Sequence, residues 1–123
     1  MFILIAGPYR SGTGDDPDKM AANLARLEEV SWPLFRAGHV PMIGEWVALP
    51  IWKAAGGGRI GDALYDEIFH PVAGRLLKLV DAVLRLPGAS TGADNDVRLA
   101  SERGIPVYYM LEDVPGYNSG GGS

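Results

Sequence analysis

The segment Ala82-Val-Leu-Arg-Leu-Pro-Gly-Ala-Ser-Thr-Gly-Ala-Asp-Asn-Asp96 decides how this chain folds. Its apolar start, residues 82–86, is typical of a strand buried within a sheet. A glycine-containing loop follows, and we predict that a helix begins near Asp94 or Asn95. A loop between a buried strand and a helix presents backbone N–H groups beside a carboxylate. Such a loop can hold a phosphate or a sugar next to a reactive group.

The same alternation of strand and helix extends toward the N-terminus. The apolar run Phe2–Ala6 ends at a Gly-Pro pair and predicts a strand buried on both faces. A helix is predicted to begin after the cap Asp16, with proline at its first position, and to end at Gly38. Residues 39–43 then predict a second short strand.

The remainder of the chain completes the pattern less clearly. Residues 44–60 contain two tryptophans and three consecutive glycines, and we predict a long loop there. Helical spacing returns over residues 62–80, where Pro71 either interrupts one helix or separates two. After the strand at 82–86 and its helix, Gly104 predicts a helix end, and residues 105–110 predict a last strand.

Strands that alternate with helices predict an α/β fold with a parallel sheet. We expect a flavodoxin- or Rossmann-like three-layer sandwich with four to five strands in the order 2-1-3-4. Residues 1–117 would form a single domain, and residues 118–123 a flexible tail. Ligands of such sheets bind beyond the carboxyl ends of the strands, where the strand order reverses. Three loops would meet there, at residues 7–14, 44–58 and 87–95.

Composition restricts the partners and the chemistry. The chain has 123 residues, 47% of them hydrophobic, and a net charge of −4, which argues against a nucleic-acid polymer as partner. It has no cysteine and two histidines, which excludes disulfides and thiolate sites and argues against a zinc cage. The apolar run at the N-terminus is too short for a signal peptide or a membrane span. We therefore expect a soluble cytoplasmic protein with a small-molecule partner and with no metal or cofactor.

The loop after the first strand offers five candidate ligand contacts: Gly7, Tyr9, Arg10, Ser11 and Gly12. Glycine lets a backbone approach a ligand closely, and tyrosine can stack or hydrogen-bond. An arginine can bind a phosphate or a carboxylate through two hydrogen bonds. The alternative interpretation is that the glycine and proline residues only turn the chain after the strand.

The later loop offers a second set of candidates. Ser90, Thr91 and Gly92 are predicted to form an oxyanion or phosphate nest, with Asp94 and Asp96 in the first turn of the following helix. One aspartate is expected only to cap the helix and complement its dipole. The helix N-terminus would keep the other ionised, which suits a nucleophile.

Two further groups have both a functional and a structural interpretation. Trp46, Trp52 and Tyr65 can stack on a base, although aromatic residues also fill protein cores. Asp66 and His70 are four residues apart on a predicted helix. They could form an acid–base pair or an ordinary surface salt bridge.

Five segments, in order over residues 2 to 110, form a pattern similar to that of a known family. They are Ile5-Ala-Gly-Pro-Tyr9, Ala37-Gly-His39, Val83-Leu-Arg-Leu-Pro-Gly88, Ser90-Thr-Gly-Ala-Asp-Asn-Asp96 and Ala100-Ser-Glu-Arg-Gly-Ile-Pro-Val107. On these residues the chain resembles the nucleoside 2-deoxyribosyltransferase-like superfamily. It is also similar to deoxynucleoside 5′-monophosphate N-glycosidases.

The resemblance implies cleavage of an N-glycosidic bond in a nucleoside or nucleotide, in a protein that forms homodimers or higher oligomers. In that family a glutamate attacks the sugar's anomeric carbon, and a base or water then receives the sugar. Asp96 stands at the nucleophile position, and the loop at 9–12 would hold sugar or phosphate. Ala73 stands near the family's second carboxylate, so Asp66 is the hypothesised acid.

The predicted site therefore combines two catalytic candidates with eight ligand contacts. The catalytic candidates are Asp96 and Asp66, and the contacts are Gly7, Tyr9, Arg10, Ser11, Gly12, Trp46, Ser90 and Gly92. Two alternatives stay open. The aspartate in place of glutamate favours a non-catalytic nucleotide-binding or sensing module. The tryptophan-containing segment could instead serve a subunit interface in a structural or interaction protein.

Overall fold

The strands of this protein form one parallel sheet in the order β2-β1-β3-β4. The computed structural model describes residues 1–59 and 63–117, so the predicted tail at 118–123 lies outside the described residues. The strands are β1 Phe2–Ala6, β2 Val40–Ile43, β3 Ala82–Arg85 and β4 Val107–Tyr108. The predicted α/β class and the strand order 2-1-3-4 are confirmed.

Helices cover both faces of the sheet. They are α1 Pro17–Glu29, α2 Ser31–Arg36, α3 Gly44–Ala54, α4 Ala63–Leu77 and α5 Thr91–Glu102, with a short 3-10 helix at Leu111–Asp113. None of the described helices has the combination of length and apolar character that crossing a membrane requires.

The central strand β1 is buried on both sides because its side chains alternate between two cores. Ile3 and Ile5 pack with Leu27 of α1 and Leu34 of α2. Leu4 and Ala6 face the opposite side, where they join a core formed with α3, α4 and α5. Each large aliphatic side chain buried in this way contributes about 1.5–3 kcal/mol relative to exposure. The three-layer arrangement follows from this two-sided burial.

Two helices differ from their predictions where proline and glycine obscure the pattern. The predicted loop at 44–60 is wrong, because α3 occupies Gly44–Ala54 with Pro50 inside it. Glu45, Ala48 and Trp52 are buried at helical spacing, and this spacing was the available signal. The single predicted helix ending at Gly38 is in fact α1 and α2. Pro33 lacks the N–H that would continue the hydrogen-bond ladder across their junction.

The remaining boundaries also depend on local hydrogen bonding. Helix α5 begins at Thr91 rather than near Asp94 or Asn95, because the Ser90 hydroxyl oxygen accepts a hydrogen bond from the Ala93 N–H at 3.1 Å. Helix α4 runs through Pro71 as one element. The last strand is limited to β4, which is shorter than the predicted 105–110.

We expect Gly7→Ala to destabilise the protein by about 1–3 kcal/mol, because a new side chain there overpacks the core. A Cβ at this position would lie 2.8 Å from Leu27 Cδ2 and 3.2 Å from Leu86 Cβ. The control is Gly74→Ala in α4, where a Cβ meets nothing within 4 Å. Alanine at position 74 should raise the free energy of unfolding by up to about 1 kcal/mol, because alanine has a higher helix propensity than glycine. Urea unfolding measures both, and a Gly7→Ala variant as stable as wild type would contradict this packing.

Candidate active site

A cavity of about 650 Å³ opens at the carboxyl ends of β1, β2 and β3. This volume lies within the usual range for small-molecule sites. The structure brings together parts of all three loops that the strand order predicted. The lining includes residues 7 and 9–11 after β1, 44–45 after β2 and residues from 90 to 96 after β3. Helix α4 forms the remaining wall with Tyr65, Asp66, Phe69, His70 and Ala73.

The sequence-predicted site residues divide into those that line the cavity and those that do not. The lining ones are Gly7, Tyr9, Arg10, Ser11, Asp66, Ser90, Gly92 and Asp96. Gly12 lies outside the lining, in a turn where its φ is +74°. Trp46 also lies outside, and its indole N–H donates a hydrogen bond to Glu28 of α1 at 2.8 Å.

Asp96 is buried at the cavity, with 7% of its surface exposed. Burial raises the pKa of this carboxyl to about 7, and the positive charge of Arg85 opposes the shift. The sequence analysis expected the helix N-terminus to keep this group ionised. The difference arises because Asp96 is the sixth residue of α5, beyond the first turn, where the effect of the helix dipole has declined.

Glu45 is the functional candidate that the sequence analysis missed. It lies in the first turn of α3, directly after β2, and only 5% of it is exposed. Burial and the nearby charge of Asp96 raise the pKa of its carboxyl to about 7, while a hydrogen bond from its own backbone N–H opposes the shift. The prediction of a loop at 44–60 hid this residue. Its position after a strand, facing the predicted crevice, was the signal that could have found it.

Glu45 and Asp96 therefore form a pair of buried carboxyl groups in one cavity. Two such neighbours cannot both ionise easily, so the pair holds about one proton near pH 7. The charge of Arg85 favours ionised Asp96, and the charge of Asp96 then favours neutral Glu45. The arrangement can present an ionised carboxylate and a protonated carboxyl group to one ligand.

Aromatic rings from two elements form one side of the cavity. The Tyr65 and Phe69 rings on α4 stack with their centroids 5.7 Å apart. Tyr9 lies 6.4 Å from Tyr65 between ring centroids. Burial and the charge of Glu45 raise the pKa of both phenols, so both remain neutral at physiological pH. Of the three predicted stacking residues, only Tyr65 lines this cavity; Trp46 and Trp52 do not.

Arg10 is held by two carboxylates at the edge of the cavity. Its Nη1 donates to Asp66 at 3.1 Å, and its Nε donates to Asp15 at 3.4 Å. The guanidinium also lies 5.7 Å from the centroid of the Tyr65 ring. Asp66 thus takes part in an ion pair with Arg10, and more than half of its side chain is exposed.

Ser90 and Asp94, two further candidates of the later loop, have structural partners. Ser90 caps α5, which is the role that the sequence analysis gave to an aspartate. Asp94 lies outside the cavity lining and accepts a hydrogen bond from Arg85 at 2.9 Å. Arg85 also donates to the carbonyl oxygens of Leu86 and Gly88, so this cluster fixes the loop that leads to Asp96.

We expect Asp96→Asn and Glu45→Gln to exceed wild type in stability at pH 8 and to lose this advantage toward pH 5. Burial raises the pKa of both carboxyls to about 7, so the folded protein keeps protons that the unfolded chain releases. The stability from these protons is fully present below about pH 4, is lost as the pH rises from about 4 to about 7, and changes little above that. Wild type should lose on the order of 1 kcal/mol per pH unit for each group within this window.

Urea unfolding of each variant at pH 5, 6, 7 and 8 measures this difference. The matched control is Glu102→Gln, which removes an exposed carboxylate at the far end of α5. Its stability should stay within about 0.5 kcal/mol of wild type at every pH. A difference between the buried-site variants and wild type that does not change with pH would contradict the raised pKa values.

No family model, no curated protein and no solved structure matches the chain.

Proposed function

We propose that this protein binds a nucleoside-type ligand in the cavity and cleaves its N-glycosidic bond. The observation that carries the proposal is the pair of buried carboxyl groups, Asp96 and Glu45, in one cavity of suitable size. Retaining cleavage of a glycosidic bond needs one ionised carboxylate and one protonated carboxyl on either side of the scissile bond. The resemblance to nucleoside 2-deoxyribosyltransferases, which placed Asp96 at the nucleophile position, supports the same reaction class.

In the first step the Asp96 carboxylate attacks the anomeric carbon of the sugar. A bond forms between a carboxylate oxygen and this carbon as its bond to the base nitrogen breaks. The base leaves with the bonding electron pair and takes the proton of Glu45. The products are a glycosyl ester on Asp96, a free base and an ionised Glu45.

In the second step an acceptor releases the sugar from Asp96. A water molecule or a second base attacks the anomeric carbon, and Glu45 takes the proton that the acceptor loses. The ester bond breaks, its electron pair returns to Asp96, and both carboxyl groups regain their starting states. Water as acceptor gives an N-glycosidase, and a base gives a deoxyribosyltransferase.

We assign the proton donor to Glu45 in place of the hypothesised Asp66. Glu45 is buried with a raised pKa, whereas Asp66 is more than half exposed and forms an ion pair with Arg10. A donor must hold its proton at the working pH, and burial provides this for Glu45. Ala73, near the family's second carboxylate position, lines the same cavity but offers no proton.

The aromatic wall supplies a surface for the base. Phe69 and Tyr9 are half-buried rings beside the buried Tyr65, and they offer planar faces to a planar heterocycle. Stacking on an aromatic side chain contributes about 1–3 kcal/mol per base. This contact would position the base while the sugar faces Asp96 and Glu45.

We expect Asp96→Ala to abolish the release of free base from 2′-deoxynucleosides, because it removes the nucleophile. Base release is measured by chromatography over a panel of 2′-deoxynucleosides and their monophosphates. Glu102→Gln, outside the cavity, should retain wild-type rates. Base release that is unchanged in Asp96→Ala would contradict the mechanism. Ligand-induced melting shifts without base release from wild type would instead indicate a binding module.

We expect a bell-shaped dependence of kcat/KM on pH with its maximum near pH 7. The reaction needs Asp96 ionised and Glu45 protonated. Burial raises the pKa of each carboxyl to about 7, so both requirements are met together only near this pH. Glu45→Gln should lower the rate on ordinary nucleosides by about 100-fold or more.

A substrate that needs no proton donor isolates the role of Glu45. The base of 7-methyl-2′-deoxyguanosine is cationic and leaves as a neutral molecule. Glu45→Gln should therefore release the first equivalent of base from this substrate, in a single turnover, at close to the wild-type rate, since only the second step still needs Glu45 to accept a proton. An equal loss of activity on both kinds of substrate would show that Glu45 is not the acid.

A further inference from the structure

We infer that the cavity selects unphosphorylated nucleosides over nucleoside monophosphates, because carboxylates of the protein already occupy its arginine. This inference rests on the proposed function and specifies the substrate class of the same site. Sequence reasoning gave Arg10 the role of gripping a phosphate or carboxylate. In the structure, Arg10 instead binds two carboxylates of the protein itself, Asp15 and Asp66.

Arg10 makes three contacts, two with residues of α4 and one with the loop before α1. Asp66 on α4 binds its Nη1 at 3.1 Å, and Asp15 in the loop before α1 binds its Nε at 3.4 Å. The face of the guanidinium lies against the Tyr65 ring at 5.7 Å. A phosphate that used Arg10 would lie beside these two carboxylates, which already balance the charge of the guanidinium.

The charge of the described lining residues is negative. Asp15 and Asp66 are balanced by Arg10 alone, and Glu45 and Asp96 together add one further negative charge when they share a proton. A protonated His70 would leave the balance negative. A phosphomonoester carries about −1.5 to −2 at pH 7, so its entry adds like charge to this cavity. A neutral nucleoside adds none.

Other sources of positive potential near the cavity are engaged or lie elsewhere. Arg85 is outside the lining, and its guanidinium bonds to Asp94 and to two carbonyl oxygens. Arg59 lines a neighbouring depression. In the first turn of α5, the Ala93 N–H donates to the Ser90 hydroxyl and the Asp94 N–H to the Ser90 carbonyl. The remaining helix dipole, worth about half a charge, does not offset a phosphate dianion in this setting.

The test compares each nucleoside with its own 5′-monophosphate, using thymidine with thymidylate and deoxyadenosine with deoxyadenylate. Affinities are measured by calorimetry on the Asp96→Ala protein, which cannot turn the ligand over, and base release is measured on wild type. We expect each nucleoside to bind at least about tenfold more tightly than its monophosphate, since a tenfold ratio corresponds to about 1.4 kcal/mol. Raising the salt concentration should narrow the gap, because salt screens the repulsion.

A variant of Asp66 tests the physical cause. Asp66→Asn removes the negative charge of one carboxylate beside Arg10, so the charge of the guanidinium is less fully balanced. The ratio of monophosphate affinity to nucleoside affinity should rise about tenfold. Glu102→Gln removes an equal charge outside the cavity lining and should leave this ratio unchanged. Because Asp66 is more than half exposed, its replacement should not disturb folding.

The possible outcomes separate the inference from the proposed function. Monophosphates that bind as tightly as nucleosides, or more tightly, would overturn the inference and leave N-glycosidic cleavage intact. An affinity ratio unchanged by Asp66→Asn would also overturn it. Release of base from neither class by wild type would overturn the proposed function itself.

Discussion

The parallel pairing of β1 with a strand on each side is the constraint on which the structure depends. Ile5 of β1 lies opposite Ile43 of β2 and Leu84 of β3, so all three strands end at the same edge of the sheet. Parallel strands must be connected by crossovers; the chain passes from β1 to β2 on one side and then from β2 past β1 to β3 on the other. The segments after the three strands therefore meet in one crevice. Glu45 and Asp96, distant in sequence, become neighbours for this reason.

Two ionised carboxyl groups this close together in a buried cavity repel each other. This repulsion, together with burial, sets the protonation of Glu45 and Asp96. Taking a carboxylate out of water is costly unless the group keeps its proton or finds a charge partner. Here Arg85 favours the ionised form of Asp96, while none of the described residues acts on Glu45 as a comparable cation, so Glu45 keeps its proton more readily. The fold thereby favours different protonation states for two chemically similar groups. Arg10 is likewise paired with carboxylates of the protein, Asp15 and Asp66. Among the described lining residues of the cavity, no guanidinium therefore lacks an ion pair.

Sequence reasoning predicted the sheet, and most of its candidate residues line one cavity, for one physical reason. Strands buried on both faces, such as Phe2–Ala6, show as uninterrupted apolar runs, and their order follows from general rules of crossover topology. It failed at α3, because Pro50 and the nearby glycines resemble loop signals and the helix is stabilised by tertiary burial. Because α3 was not predicted, Glu45 in its first turn was not recognised as a candidate. Roles that depend on burial or on pairing, as for Asp96 and Arg10, are set by the assembled fold and have no local sequence signal.

The most direct test of the carboxyl pair is an NMR titration of protein labelled with ¹³C at the aspartate and glutamate side-chain carboxyls. Asp96→Asn and Glu45→Gln assign the two resonances. The structure predicts that both pKa values lie near 7, raised by burial, and that the pKa of Glu45 falls when Asp96 is replaced. Two independent titrations in the ordinary range near pH 4 would contradict a shared proton and with it the proposed chemistry.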